Sequence, residues 1–205
     1  HVDIFASCRD VQPYVATRPA MKTIYLQTID GAVKALGGAD SAVLRPGEPV
    51  FVPEPVEDWC SFVALAIRIS RLGMNIKPSF ARQYYHELGA VHVLLPRRPG
   101  PIPPLFCDRA IAPGKWLDLD MVVSGSLDVC ITDDSDAKLT MLSMPLEIDC
   151  LGIDRAVNMV SRYMTLKTGD MIIFGDSAVE VGTPRLDTRL TASISSQPSL
   201  DIRFK

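Results

Sequence analysis

The stretch SRYMTLKTGDMIIFGDS, residues 161–177, carries the most specific pattern in the sequence. An apolar-periodic segment ends near Leu166, Gly169 begins a turn, and residues 171–174 form a short apolar run before a glycine and an aspartate. This order predicts a helix, a turn, and a strand that stops at residues 175–176.

Composition indicates an ordinary globular chain. It has 205 residues, of which 47% are hydrophobic and 22% are charged, with a formal net charge of −3. A chain of this length can bury one sizeable core, so we expect a single domain over residues 1–205. Basic residues are scattered, whereas binding to phosphate backbones needs clustered Lys and Arg. We therefore expect no nucleic-acid partner.

Location is predicted from apolar runs and cysteines. Residues 62–67 form the longest apolar run, far below the roughly 18–20 residues that cross a bilayer, so we expect no membrane span. Residues 1–10 contain no basic stretch before an apolar block and do not resemble a secretory signal. Five cysteines at irregular spacing favour a reducing compartment. The expected location is the cytoplasm.

The order of turns and β-branched runs predicts a mainly β, α+β architecture. Two helices are expected, a short one over residues 78–89, between a proline and a glycine, and a long one over residues 145–163. A turn at residues 124–125 predicts a hairpin between residues 117–123 and 127–132. The other expected strands are residues 24–27, 49–53, 59–69, 90–95 and 190–204, and residues 96–104 form a proline-rich loop.

The helix-turn-strand segment, read as S..MTL..GD.I..G, resembles the C-terminal half of the fumarylacetoacetate hydrolase superfamily. Within that superfamily it is most similar to the non-metal half of the homoprotocatechuate-pathway isomerase/decarboxylases. RPGEPVFVPEP at residues 45–55, WCSFVALAIRIS at residues 59–70 and the segment at residues 75–97 extend the resemblance over most of the chain. It implies that family's β-barrel or sandwich, with few peripheral helices.

The resemblance also predicts that the family's metal ion is absent. A divalent cation is held there by a Glu-x-Glu pair and an Asp, and those positions fall on Cys60, Phe62 and Val93. A hard cation needs oxygen ligands, which these three side chains do not provide. We expect no metal and no other cofactor.

Five residues are the candidate site. Arg97 falls where the family has a substrate-facing arginine, and Gly175, Asp176 and Ser177 replace a glycine-threonine-proline turn. The resemblance thus implies that Arg97, Gly175 and Ser177 bind substrate, and that Asp108 or Asp176 transfers a proton. Two simpler interpretations stay open: Arg97 is a solvated loop residue, and Asp108 caps a turn.

Two functions follow from this set. The chain is expected to act, without a metal, on a 2-oxo acid, an enol acid or a diketone, by decarboxylation, isomerisation or C–C hydrolysis. The alternative is a non-catalytic subunit that supports an active paralogue. Either way we expect a homodimer, or a heterodimer with a family paralogue. His86 and His92 are six residues apart, so they do not share a face as an i, i+4 pair would, and Cys60 is expected to be a core thiol.

Overall fold

The computed structural model describes residues 21–98, 100–122, 124–133 and 135–205. Within these ranges the chain forms strands β1 (Thr23–Ile29), β2 (Ala32–Gly38), β3 (Trp59–Ile69), β4 (Tyr85–Pro96), β5 (Ile111–Pro113), β6 (Leu117–Asp118), β7 (Ser124–Thr132), β8 (Lys138–Glu147), β9 (Met171–Gly182), β10 (Arg189–Ile194) and β11 (Gln197–Arg203), and helices α1 (Pro78–Ala81) and α2 (Ile153–Ser161). Residues 1–10, on which the expectation about a secretory signal rests, lie outside the described residues.

The strands form two sheets. The large sheet has the order β2-β1-β9-β3-β4-β5, with β6 also paired to β4. Strands β1 and β9 run parallel, and the other neighbours in this sheet run antiparallel. The small sheet has the order β11-β10-β7-β8 and is antiparallel. The prediction of a mainly β chain is confirmed; the described strands form open sheets and no closed barrel.

Strand β3 lies at the centre of the large sheet because both of its faces are apolar. Val63, Leu65 and Ile67 point into the main core, which also contains side chains of the small sheet. Ala64 and Ala66 point into a second cluster on the opposite face. A strand buried on both faces is a continuous apolar run in the sequence, and the predicted bounds of this strand match the structure.

The short predicted helix is correct only at its beginning. Helix α1 ends at Ala81, and a 3-10 turn leads directly into β4 at Tyr85. Leu88 pairs with Ile67 of β3, and the Arg68 Nε donates to Glu87 Oε2 at 2.7 Å across the same strands. Pairing with β3 therefore outweighs the helical spacing of residues 82–89.

The long predicted helix is also shorter in the structure. Strand β8 continues to Glu147, a 3-10 turn follows, and Gly152 adopts a left-handed φ of 60° before α2 begins. The predicted apolar stripe is buried at Ile153, Val157 and Val160, whereas Cys150 is exposed. The left-handed residue separates the strand from the helix, since a continuous helix cannot pass through that φ.

Three strand predictions need correction. Gly125 does not form a hairpin turn: it belongs to β7, which pairs with β8, while Leu117 pairs with β4. Residues 49–53 make only an isolated bridge, between Val50 and Phe204. Strand β9 continues through residues 175–176 to Gly182. The terminal strands predicted over residues 190–204 are present as β10 and β11.

In the described part of the chain, no helix has the length and apolar character needed to cross a membrane.

Candidate functional site

Residues 175–176, where the sequence predicted the end of a strand, lie in a four-residue bulge within β9. On β3, Leu65 pairs with Phe174 and Val63 pairs with Val179, so four residues of β9, 175–178, lie opposite Ala64 alone. The parallel pairing of β9 with β1 also ends at Phe174. Bulges of this kind redirect side chains and are frequent next to active sites. The bulge turns Asp176 and Ser177 away from regular sheet positions.

Asp176 is fixed by the end of β1. The backbone N–H of Thr28 donates to Asp176 Oδ1 at 2.7 Å, and the Thr28 hydroxyl donates to Oδ2 at 2.6 Å. Burial, together with the negative charge of Asp176, raises the pKa of the neighbouring Tyr25 to about 12. The carboxylate is therefore held in one orientation while its side chain stays exposed to solvent.

A cavity of about 300 Å³ opens beside this bulge, and we call it the bulge cavity. Three polar or charged residues reach it: Asp176, Ser177 and Arg155 of α2. Arg155 is exposed and makes no ion pair with any residue that the structure describes. The remaining lining residues are Leu26, Val33, Cys150, Leu151, Gly152, Ala156, Met159 and Phe174. A free guanidinium beside a hydroxyl suits an anionic ligand.

Gly175 owes its identity to a contact inside the protein. A Cβ at this position would lie 2.5 Å from Tyr25 Cζ and 2.6 Å from the Tyr25 hydroxyl oxygen. Tyr25 is 1% exposed, so its ring has no free space to move into. The resemblance assigned Gly175 to substrate binding; in the structure a tyrosine ring fills the space that its missing side chain leaves.

Gly175→Ala is expected to destabilise the protein by about 1–3 kcal/mol, because the new methyl group overpacks a buried ring. Urea unfolding followed by tryptophan fluorescence measures this change. The same substitution in a Tyr25→Leu background should cost less, since the ring atoms in conflict are gone. An equal cost in both backgrounds would show that the Tyr25 contact is not the cause.

The positions that the resemblance assigned to metal ligands do come together. Phe62 of β3 pairs with Val93 of β4 on one side and with Glu180 of β9 on the other, so these three side chains share one face. The Cys60 thiol donates to Glu180 Oε1 at 3.3 Å. Burial, followed by the bond to Glu180, raises the pKa of Cys60 to about 11. The thiol therefore stays protonated at neutral pH.

This group of side chains does not fit Mg²⁺ or Mn²⁺. It offers one carboxylate, a protonated thiol, a phenyl ring and a wholly buried valine, whereas these ions take several oxygen ligands. Among the residues described by the structure, no group of three or more His, Cys, Asp and Glu side chains could hold a metal ion.

Arg97 lies at the far end of β9 from the bulge cavity. Its Nη2 donates to Thr183 Oγ1 at 2.8 Å, and its backbone N–H donates to the carbonyl of Asp58 at 2.7 Å. The bulge places Asp176 opposite Ala64 of β3, whereas Gly182, next to Thr183, pairs with Ser61, and Arg97 does not line the bulge cavity. Asp108 is exposed and does not line the bulge cavity. Burial, followed by the negative charge of Asp108, raises the pKa of Cys107. The structure thus groups Asp176 with Ser177, and places Arg97 and Asp108 elsewhere.

Two residues of the site were not predicted from the sequence: Arg155 lines the bulge cavity, and Thr28 binds Asp176. Arg155 lies outside the apolar stripe of its helix, where any charged residue is compatible with solvent. Thr28 is 148 residues from Asp176 in sequence, and no local pattern connects them. Both depend on the parallel pairing of β1 with β9 and on the docking of α2.

Several solved structures share this fold at low sequence identity. The 5-carboxymethyl-2-hydroxymuconate delta-isomerase of Mycobacterium smegmatis matches with a TM-score of 0.69 at 15% identity, over 90% of this chain and 78% of that chain. The fumarylpyruvate hydrolase of Pseudomonas aeruginosa, solved with Mn²⁺ and pyruvate, matches at 0.67 and 15%, over 99% of each chain. A Yersinia pestis protein assigned to the fumarylacetoacetate hydrolase family matches at 0.70 and 12%, over 91% and 94%.

Sequence comparison adds no closer relative. No family model matches the chain, and no curated protein is significantly similar to it. The structural similarity therefore establishes the fold, and the expected fumarylacetoacetate-hydrolase-type architecture is confirmed. At identities of 12–15%, it does not carry an activity across to this chain.

Proposed function

We propose that this chain, with its fumarylacetoacetate-hydrolase-type fold, is a single-domain protein that binds a small 2-oxo or enol carboxylate in the bulge cavity and isomerises it without a metal ion. One observation carries the proposal: a free guanidinium, a hydroxyl and an oriented carboxylate line the same cavity. The Pseudomonas aeruginosa structure of the same fold holds pyruvate, a 2-oxo acid.

The reaction proposed is keto–enol tautomerisation, since it needs only groups that line the cavity. Arg155 binds the ligand carboxylate, and the Ser177 hydroxyl donates to the 2-oxo oxygen. Asp176 accepts a proton from C3; the C3–H electron pair forms the C2–C3 double bond, and the charge moves to the 2-oxo oxygen. Return of that proton to the oxygen gives the enol and regenerates the carboxylate.

Asp176 is the proposed base, in preference to Asp108. Both Thr28 donors hold the Asp176 carboxylate at the cavity wall, and such orientation is what a general base needs before its basicity matters. Asp108 lines no part of the cavity. No step is assigned to a metal, because Cys60, Phe62, Val93 and Glu180 do not fit one.

Exchange of the C3 hydrogens of 2-oxobutanoate in D₂O tests the proposal. We expect the protein to accelerate exchange, and Asp176→Asn to lower the protein-dependent rate about 100-fold, within the range of general-base catalysis. Asp30→Asn, at an exposed aspartate just beyond β1, is the matched control and should leave the rate unchanged. NMR spectroscopy measures the loss of the C3 signal.

The same assay has clear contradicting outcomes. EDTA should leave the rate unchanged, and abolition by EDTA would show that a metal takes part. If Asp108→Asn lost activity while Asp176→Asn kept it, the proton-transfer role would belong to Asp108. Absence of any protein-dependent exchange by the folded protein would rule out the proposed isomerisation.

A second function is favoured by the side chains at Cys60, Phe62 and Val93. A chain that keeps the fold but offers no metal-ligand set there suits a non-catalytic subunit that supports an active paralogue. Exposed apolar side chains are available for such a partner: Leu72 and Met74 flank Gly73, which pairs with Leu166 near the exposed Tyr163. Co-purification with a paralogue that retains Glu-x-Glu and Asp, together with no exchange by this chain alone, would support it. A monomeric mass in light scattering would rule out the expected homodimer.

A further inference from the structure

The bulge cavity contains one positive side chain and one negative one. Arg155 is its cation and Asp176 its carboxylate. A second carboxylate lies close by, because the Cys150 thiol, which lines the cavity, donates to Glu147 Oε2 at 3.0 Å. Arg155 neutralises one carboxylate of a bound ligand. A second ligand carboxylate would find no other cation among the lining residues and would be repelled by Asp176.

Most of the remaining wall is apolar, and four regular elements contribute side chains to it. Leu26, Phe174 and Ala156 are buried, Met159 is half-buried, and Val33 is exposed at the rim. These residues lie on β1, β9, α2 and β2. Alkyl groups placed against such a wall leave water, and each buried methylene tightens binding about fourfold.

We infer that the bulge cavity selects 2-oxo acids with a single carboxylate and an apolar tail over 2-oxo dicarboxylates. The inference rests on the proposed function and adds the ligand class to it. Arg155 anchors the carboxylate, the tail lies on the wall of Leu26, Met159 and Phe174, and Asp176 excludes a second negative charge. A dicarboxylate would also have to desolvate its second charge without a partner, which costs affinity.

Isothermal titration calorimetry with two acids of equal length tests this selection. 2-Oxopentanoate and 2-oxoglutarate differ by a terminal carboxylate, and we expect 2-oxopentanoate to bind at least about tenfold more tightly. Within the series 2-oxobutanoate, 2-oxopentanoate and 2-oxohexanoate, affinity should rise with each methylene. Asp176→Asn should narrow the gap between the two five-carbon acids by removing the repelling charge.

Arg155→Gln should weaken 2-oxopentanoate binding about tenfold or more, since it removes a charged hydrogen-bond donor. Arg162→Gln is the matched control: it changes another exposed arginine, at the end of the same helix, which does not line the cavity. It should leave both affinities unchanged. Because neither arginine has an ion-pair partner among the described residues, both variants should keep the thermal stability of the parent protein.

The outcomes separate this inference from the proposed function. Tighter binding of 2-oxoglutarate than of 2-oxopentanoate would overturn the selection and leave binding of 2-oxo acids in place. Equal weakening by Arg155→Gln and Arg162→Gln would overturn the anchoring role of Arg155, since it would reflect net charge alone. Binding of none of the acids by the folded protein would overturn the proposed function and the inference with it.

Discussion

The free energy of unfolding is expected to fall by about 2 kcal/mol between pH 7 and pH 5, through His92 alone. His92 is wholly buried in β4, its Nε2 lies 2.7 Å from the Ser61 Oγ, and its ring packs edge-on against Phe204 at 5.3 Å. Its Nδ1 has no hydrogen-bond partner in the part of the chain that the structure describes. Burial lowers the pKa of His92 to about 3.

The free energy of unfolding falls with pH because the folded and unfolded states bind a proton at His92 at different pH values. The unfolded chain protonates this histidine below about pH 6.5, while the folded protein keeps the ring neutral until about pH 3. Between these values the unfolded state binds more protons, so stability is lost as the pH falls, by about 1.4 kcal/mol per pH unit. The contribution is fully present above pH 6.5.

Urea unfolding at half-unit steps from pH 7 to pH 4 measures the slope. A Ser61→Ala/His92→Leu double variant removes both polar partners together and should show a much flatter profile in this window. His86→Gln, at an exposed histidine of the same strand, is the matched control and should retain the slope. An unchanged slope in the double variant would mean that other groups cause the acid sensitivity.

Gly114→Ala is expected to destabilise the protein by about 3 kcal/mol or more, because its new methyl group meets backbone atoms. A Cβ at this position would lie 2.1 Å from the Ser199 carbonyl oxygen and 2.9 Å from the Ala90 carbonyl oxygen. No side-chain rotation relieves contacts with backbone. The large and small sheets must therefore move apart.

The contacts around Gly114 explain why such movement is costly. The Gly114 N–H donates to the Ala90 carbonyl at 3.0 Å, and the Lys115 N–H donates to the Ser199 carbonyl. The Ser199 hydroxyl accepts from the Ala90 N–H at 2.9 Å and donates to the Lys115 carbonyl at 2.8 Å. These bonds join β4 of the large sheet to β11 of the small sheet, and separating the sheets stretches them together.

Gly37→Ala provides the matched control for Gly114→Ala. Gly37 lies in β2, and no atom lies within 4 Å of the Cβ it would gain. Its φ is not in the left-handed region, so alanine is tolerated there and the change in stability should stay within about 1 kcal/mol. Equal unfolding midpoints for Gly114→Ala and Gly37→Ala in urea would contradict the backbone contact as the cause.

Strands with a local signal were predictable. Strand β3 is a continuous apolar run, and β10 alternates buried and half-buried residues before the turn that leads to β11, so both patterns can be recognised within one segment. Residues 82–89 carry a helical spacing and yet join β4, because their partners on β3 lie about 20 residues earlier in the chain. Periodicity within one segment has no information on such a partner.

The candidate site was likewise predictable from the sequence only in part. The segment at residues 161–177 identified Asp176 and Ser177, although it predicted the end of a strand where the structure has a bulge. The resemblance assigned the family's metal positions to Cys60, Phe62 and Val93. The register of β3 between β4 and β9 then placed Phe62 beside Val93 and Glu180. The identity of these side chains needed only the sequence, whereas their assignment to the family's metal positions is a prediction from the resemblance.

By itself, then, the sequence determined a mainly β chain with a fold of the fumarylacetoacetate-hydrolase type, and the resemblance predicted that the family's metal positions fall on side chains without oxygen ligands. Only the tertiary structure decided that Arg155 lines the same cavity as Asp176, that Thr28 binds the Asp176 carboxylate, and that Arg97 contacts Thr183 beyond the end of β9 instead. The physical reason is that strand pairing and helix docking bring together residues from different segments, such as Thr28 and Asp176, which lie 148 positions apart. The spacing within any one segment does not encode those contacts.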